Sequence, residues 1–103
     1  MRRRQPHYSL SRVKAAFADP ARMNRTMTAA EGAETLGLDE NAVVEIIARL
    51  GARDFDKSMP SVINASVWQD VYKPVIDGQE LYVKFTLDAL GALLLISFKG
   101  NEP

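Results

Sequence analysis

The dipeptide Asp77-Gly78 lies between two β-prone stretches, Val67-Trp68-Gln69-Asp70-Val71-Tyr72 and Glu80 to Leu87. Asp-Gly favours the two-residue turn whose central residues both take positive φ, so the pair predicts an antiparallel hairpin. From Leu81 the chain alternates. Leu81, Val83, Phe85 and Leu87 fall on one side and Tyr82, Lys84 and Thr86 on the other, because successive side chains of a strand point to opposite faces. One face of this strand is therefore apolar and must be covered. A turn near Asp88 to Gly91 returns the chain antiparallel, where Leu94, Ile96 and Phe98 are expected to alternate with Leu95, Ser97 and Lys99. Lys99 then shares a face with Tyr82 and Lys84. The first of the three strands has no fixed facing from pattern alone, since Gln69 alternates with Val67 and Val71 while Trp68, Asp70 and Tyr72 take the other side.

The covering layer is predicted from the first half of the chain. Leu10, Val13 and Phe17 recur at helical spacing after a cap at Ser9 or Ser11, and Asp19-Pro20 ends that helix. A second helix is expected to start at Thr28, with Glu31 reaching back to the cap, and to stop near Gly37. Asp39 caps a third, whose Val43, Ile46, Ile47 and Leu50 form a stripe at i, i+3, i+4 and i+7 before Gly51. The joint between helical and sheet-forming halves falls near Arg53 to Pro60, where Met59-Pro60 is expected to shape a loop beside Lys57. With no internal repeat or flexible linker, residues 1–103 read as one α+β domain, with helices packed on one face of a mostly antiparallel sheet.

Composition narrows the setting. Apolar residues make up 47% and charged residues 25%, and a chain of this length buries roughly two-thirds of its unfolded surface, enough to fold without staples. The absence of cysteine suits a reducing compartment, and the cytoplasm is the expectation. The longest apolar run, Leu93-Leu94-Leu95-Ile96, has strand length, so no membrane span is expected. Met1-Arg2-Arg3-Arg4 is followed by Gln5, Pro6 and His7 where an export signal needs an apolar stretch. The 13 basic and 13 acidic side chains balance, so net charge announces no nucleic-acid partner. Distribution is more telling. Basic residues gather at Arg2 to Arg4, Arg12, Lys14, Arg22 and Arg25, and again at Lys57, Lys73, Lys84 and Lys99, whereas acids crowd Glu31 to Glu45. The arginine triplet reads first as a solvated start of the chain and second as an arm that steers phosphates.

Tyr82, Lys84, Ser97 and Lys99, joined by Lys57 and Gln69, are expected to form a cluster of cations, a phenol and an amide with no acid among them, which suits a phosphate. One histidine and no cysteine do not supply the usual zinc ligands, so no metal and no small-molecule cofactor are expected. Cleavage of a phosphodiester without a metal needs a base for the attacking hydroxyl, charge stabilisation at phosphorus and an acid for the departing oxygen. An ordinary lysine or tyrosine is protonated at neutral pH and can donate; acting as base requires a lowered pKa, which neighbouring lysines favour. Taken singly, an outward lysine is more often a solubility device and an outward tyrosine a packing partner. Trp68 is read as core and His7 as incidental. The alternative function is a non-catalytic nucleic-acid-binding regulator using the helix-turn-helix-like segment 28–50, although Asp39, Glu40, Asn41 and Glu45 would repel phosphates there.

Several blocks carry a family resemblance: Asp54-Phe55-Asp56-Lys57-Ser58-Met59, Trp68-Gln69-Asp70-Val71-Tyr72-Lys73-Pro74, Leu81-Tyr82-Val83-Lys84 and Ser97-Phe98-Lys99, with Pro6-His7, Leu10-Ser11-Arg12-Val13-Lys14 and Leu36-Gly37-Leu38-Asp39 in order. They resemble MqsR, the motility quorum-sensing regulator toxins. The resemblance implies a RelE-like fold and a ribosome-independent, sequence-selective mRNA endoribonuclease, held inactive by a cognate zinc-binding antitoxin of the MqsA type. It also implies that Lys57, Gln69, Tyr82 and Lys99 carry the toxicity. Lys73, where some relatives are expected to have arginine, and Lys84 are expected to contact RNA. On that basis Lys99 and Tyr82 are assigned to proton transfer, Lys57 to charge on the phosphorane and Gln69 to orienting substrate, with acid and base left open. The antitoxin is expected at an exposed sheet edge, by strand addition.

Overall fold

The computed structural model describes residues 3–101. Helix α1 (Leu10–Ala16) starts at Ser9, whose side chain accepts from the Arg12 N–H, and a 3₁₀ turn at Pro20–Arg22 follows it. Helix α2 (Met27–Thr35) is capped by Thr26 rather than Thr28: the Thr26 hydroxyl accepts from the Ala29 N–H at 3.1 Å. Its start is displaced because the preceding residues are tied to a strand, the Thr26 N–H donating to the Leu95 carbonyl and the Leu95 N–H to that of Asn24, each at 3.0 Å. Gly37, at φ 76°, ends the turn after α2 in the left-handed region open to glycine. Helix α3 (Glu40–Ala48) is capped as expected by Asp39, which accepts from the Ala42 N–H at 2.8 Å. Val43, Ile46, Ile47 and Leu50 are buried with Val13, Phe17, Ala29 and Ala33 against the sheet. Among the described residues no helix is long and apolar enough to cross a membrane.

The sheet has five antiparallel strands: β1 (Phe55–Pro60), β2 (Trp68–Tyr72), β3 (Val75–Ile76), β4 (Gln79–Leu87) and β5 (Leu93–Gly100). β4 is central. It pairs β5 on one side and, on the other, β3 through its first residues and β2 further along. The Asp77-Gly78 turn has φ 50° and 82°, the doubly positive pair that a tight hairpin needs, and it joins β3 to β4. The first β-prone stretch is β2, and the two-residue β3 before the turn is an addition to the three expected strands; Lys73-Pro74 separates the two, because proline has no N–H to donate. Met59 and Pro60 are strand residues opposite Gln69 and Trp68, not a loop. Proline is tolerated there because it closes the outermost strand.

The β4–β5 register corrects a further expectation. Lys84 pairs with Ser97 but Phe85 with Leu95, so Ile96 is an extra residue on β5. This bulge resets the alternation: Leu93, Leu95 and Phe98 are buried in the core, and Leu95 is not on the face of Ser97 and Lys99. On β2 the buried Asp70 and Tyr72 pair with Phe85 and Val83 and so take the helix side. Both Asp70 carboxylate oxygens are satisfied there, one by the His7 N–H at 3.0 Å and the other by the Tyr8 N–H at 2.8 Å. Arg3 then exchanges backbone hydrogen bonds with Ser58 along β1, and Arg25 bridges to Leu95 along β5, so both outer edges are partly covered. Strand addition by a partner is thereby restricted to the uncovered parts of each edge.

Two stability predictions follow from this packing. A Cβ on Gly32, inside α2, would overlap the Phe98 carbonyl. Gly32→Ala, which gains about 1 kcal/mol of helix propensity in an open helix, should instead destabilise by about 1–3 kcal/mol and lower the urea midpoint. The Tyr72 hydroxyl is buried without a protein partner, and burial, helped by the Asp70 charge, pushes its pKa up to about 12. The folded form thus keeps a proton that the unfolded chain sheds near pH 10, so stability is lost as pH rises from about 10 to about 12. Tyr72→Phe should flatten that loss and leave stability at pH 7 equal or higher, as read by denaturant titration at both pH values.

Candidate active site

Four strands meet in one transverse row. Lys57 on β1 is opposite Val71 on β2, Val71 is opposite Lys84 on β4, and Lys84 is opposite Ser97 on β5. One step to one side of this row Gln69 pairs with Met59, and one step to the other side Tyr82 pairs directly with Lys99. Alternation puts Gln69, Val71, Tyr82, Lys84 and Lys99 on the face opposite the helices. Val71 is fully buried yet lies apart from the helix-side core, as expected of a residue flanked in register by two lysine stems. The bulge at Ile96 is what keeps Lys99 on this face while the apolar residues before it turn inward.

The phenol lies beside two of the lysines. The Lys99 Nζ lies 5.4 Å and the Lys84 Nζ 5.7 Å from the centre of the Tyr82 ring. Burial raises the Tyr82 pKa; the Lys73 cation opposes that shift and the Asp56 carboxylate reinforces it. Tyr82 is accordingly a protonated hydroxyl at neutral pH. Lys84 moves the other way: burial lowers its pKa, and the nearby Lys99 and Lys57 charges lower it further. Each effect disfavours a second positive charge in a poorly solvated place. Lys73 is held by Asp56 at 3.5 Å. The expected cluster without an acid therefore has one carboxylate at its rim, which strand pattern did not reveal because Asp56 sits at a register shift in β1.

All six residues singled out, Lys57, Gln69, Lys73, Tyr82, Lys84 and Lys99, belong to this face or its margin. His7 and Trp68 do not. Trp68 is half-buried at the border of the core, its indole stacked on His7 at 5.5 Å and covered by the Arg3 guanidinium at 3.8 Å. His7 is fixed on the helix side by its bond to Asp70, away from Tyr82. Arg3 is docked rather than free, Arg4 is exposed, and Arg2 lies outside the described residues. The helix-turn-helix-like segment turns Val43, Ile46 and Ile47 into the core and leaves Glu40, Asn41 and Glu45 outside, a surface that repels phosphate. The hollow beside it is bordered by Glu34, Asp39 and Glu40, with Arg25 as its only cation. Among the described residues no three His, Cys, Asp or Glu side chains gather as metal ligands.

A lysine-rich sheet face around a protonated phenol is suited to polyanion chemistry, and comparison with known proteins gives it a family. The profile described as "Motility quorum-sensing regulator, toxin of MqsA" matches residues 5–100. The chain belongs to the MqsR toxin family. It is 35% identical over 99 residues to the mRNA interferase toxin MqsR of Escherichia coli (strain K12), covering 96% of this chain and 98% of that protein. The MqsR match spans every strand that contributes to the lysine face and the three helices behind it.

The Asp56–Lys73 pair makes this face testable without substrate. Because Asp56 raises the Tyr82 pKa, Asp56→Asn should lower it toward the ordinary phenol value. An NMR pH titration of ring-labelled tyrosine should show a downward movement for Tyr82 and none for Tyr8.

Proposed function

We propose that this chain is an mRNA endoribonuclease, the toxin of a toxin–antitoxin pair, cutting RNA by attack of a ribose 2′-hydroxyl on the adjacent phosphate. The observation that supports the reading best is the phenol of Tyr82 between the amines of Lys84 and Lys99 on one open strand face. RNA is a long polyanion that needs an open, cationic surface more than a closed pocket.

The chemistry divides among the side chains as follows. The 2′-oxygen forms a bond to phosphorus, the bond from phosphorus to the 5′-oxygen breaks, and charge accumulates on the non-bridging oxygens between. Lys57 stabilises that charge; Lys73 and Lys84 hold the phosphates of the strand; Gln69 offers an amide that orients the nucleotide. Tyr82, with its raised pKa, donates the proton taken by the leaving 5′-oxygen, and Lys99 beside it restores that proton. The products are a 2′,3′-cyclic phosphate and a 5′-hydroxyl. The cut is ribosome-independent and selective for a short sequence, and the protein acts in the cytoplasm, where mRNA is. A cognate antitoxin of the MqsA type neutralises it.

Purified protein incubated with a short defined RNA in EDTA should give scission with those ends by mass spectrometry. Tyr82→Phe and Lys57→Ala should each lower the single-turnover rate by about 10²-fold or more with the circular dichroism spectrum unchanged. Intact RNA with the wild type, or full rate in both variants, would falsify the reading.

A further inference from the structure

Lys84 is placed unlike the other lysines. It is on β4, the central strand, half-buried, with paired strands on both sides, whereas Lys57 belongs to the outer strand β1 and Lys99 is exposed. Its neighbours on this face are Lys57 from β1, Gln69 and Val71 from β2, Tyr82 and Thr86 from its own strand, and Ser97 and Lys99 from β5. Lys73, the nearest alternative, is compensated by Asp56 at 3.5 Å; among the described residues no carboxylate lies within 4.0 Å of Lys84. An ammonium ion placed between two others, short of water and without a counter-ion, sheds its proton more readily than a free lysine. Tyr82, 5.7 Å away by its ring centre, keeps its own proton. A donor and an acceptor of opposite tendency thus stand side by side, the arrangement that general acid–base catalysis requires.

We propose that Lys84 is a catalytic residue, the amine that takes the proton from the attacking ribose 2′-hydroxyl. The inference rests on the ribonuclease reading and assigns the step that reading leaves without an acceptor. The neutral Lys84 amine receives the 2′-hydroxyl proton as the bond from the 2′-oxygen to phosphorus forms. The Tyr82 phenol gives its proton to the 5′-oxygen as that bond breaks, Lys99 reprotonates the phenolate, and exchange with water then takes the proton from Lys84 and returns one to Lys99, so protons balance over the turnover. The new ammonium lies beside the phosphorane and adds to the positive charge facing it. Base and electrostatic roles are thereby combined in one side chain.

The pH dependence carries the test. The reactive form of Lys84 is the deprotonated one, so kcat/KM for the wild type in EDTA should rise about tenfold per pH unit on its acid limb. Lys57→Met removes one of the cations that depress the Lys84 pKa, so that limb should move to higher pH. Lys84→Arg keeps the charge and the phosphate contact but removes the titration. It should cut kcat/KM by about 10²- to 10⁴-fold and abolish the limb. In Lys84→Ala, added ethylamine should restore rate in proportion to its free-base concentration. Lys84→Arg cleaving within threefold of wild type with an unchanged slope would overturn the inference while leaving the ribonuclease reading intact. A wild type that leaves RNA uncut would overturn both.

Discussion

Burial of Leu81, Val83 and Phe85 beneath the three helices is the constraint on which the remaining geometry depends. A strand whose inward residues are fixed has no freedom in its outward ones, because a shift of one residue would exchange the two faces completely. Tyr82 and Lys84 are therefore presented outward by the same packing that holds the core together. Neighbouring strands inherit the choice through backbone pairing: Val71 and Lys57 align with Lys84 on one side, Ser97 and Lys99 with Lys84 and Tyr82 on the other. The lysine-bearing face is held in place because it is the reverse side of a packed sheet.

That arrangement works against stability where the lysines gather. Bringing Lys57, Lys84 and Lys99 together disfavours the ammonium form of Lys84, and the one carboxylate nearby, Asp56, is engaged with Lys73. Folding energy is supplied from elsewhere. Asp70, buried on the opposite side of the sheet, accepts two backbone N–H bonds and fastens the segment before α1 to β2. The Arg3, His7 and Trp68 contacts extend that attachment over β1. The adjacent residues Gln69 and Asp70 thus serve different sides of the molecule, Gln69 the cationic face and Asp70 the frame that keeps β2 in register.

Charge is likewise unevenly placed. Glu31, Glu34, Asp39, Glu40 and Glu45 lie exposed on α2, α3 and the turn between them, Arg12, Lys14 and Arg22 lie elsewhere on the helical layer, and Lys57, Lys84 and Lys99 lie on the sheet face behind it. A net charge of zero therefore hides local patches, of which the lysine face attracts a polyanion and the surface of α2 and α3 repels one. For a member of the MqsR family that binds RNA, this disfavours contact through the acidic surface of α2 and α3.

The local signals were legible in the chain: the Asp77-Gly78 turn, the β4 alternation, the Asp39 cap and the α3 stripe each depend on residues close in sequence. The shared face of Tyr82, Lys84 and Lys99 followed from them, although the step to Lys99 omitted a bulge and the inward place of Leu95 was missed. β1 was not legible, since Asp56, Lys57, Ser58 and Pro60 have little strand propensity and pair only because β2 offers an edge. The cap at Thr26 depended on a bond to Leu95, far along the chain. Alternation and capping are short-range rules of sterics and hydrogen bonding that a sequence determines by itself. Register, bulge position and the placing of Lys57 and Gln69 on the same face as the phenol come from long-range pairing, and only the folded sheet decides them.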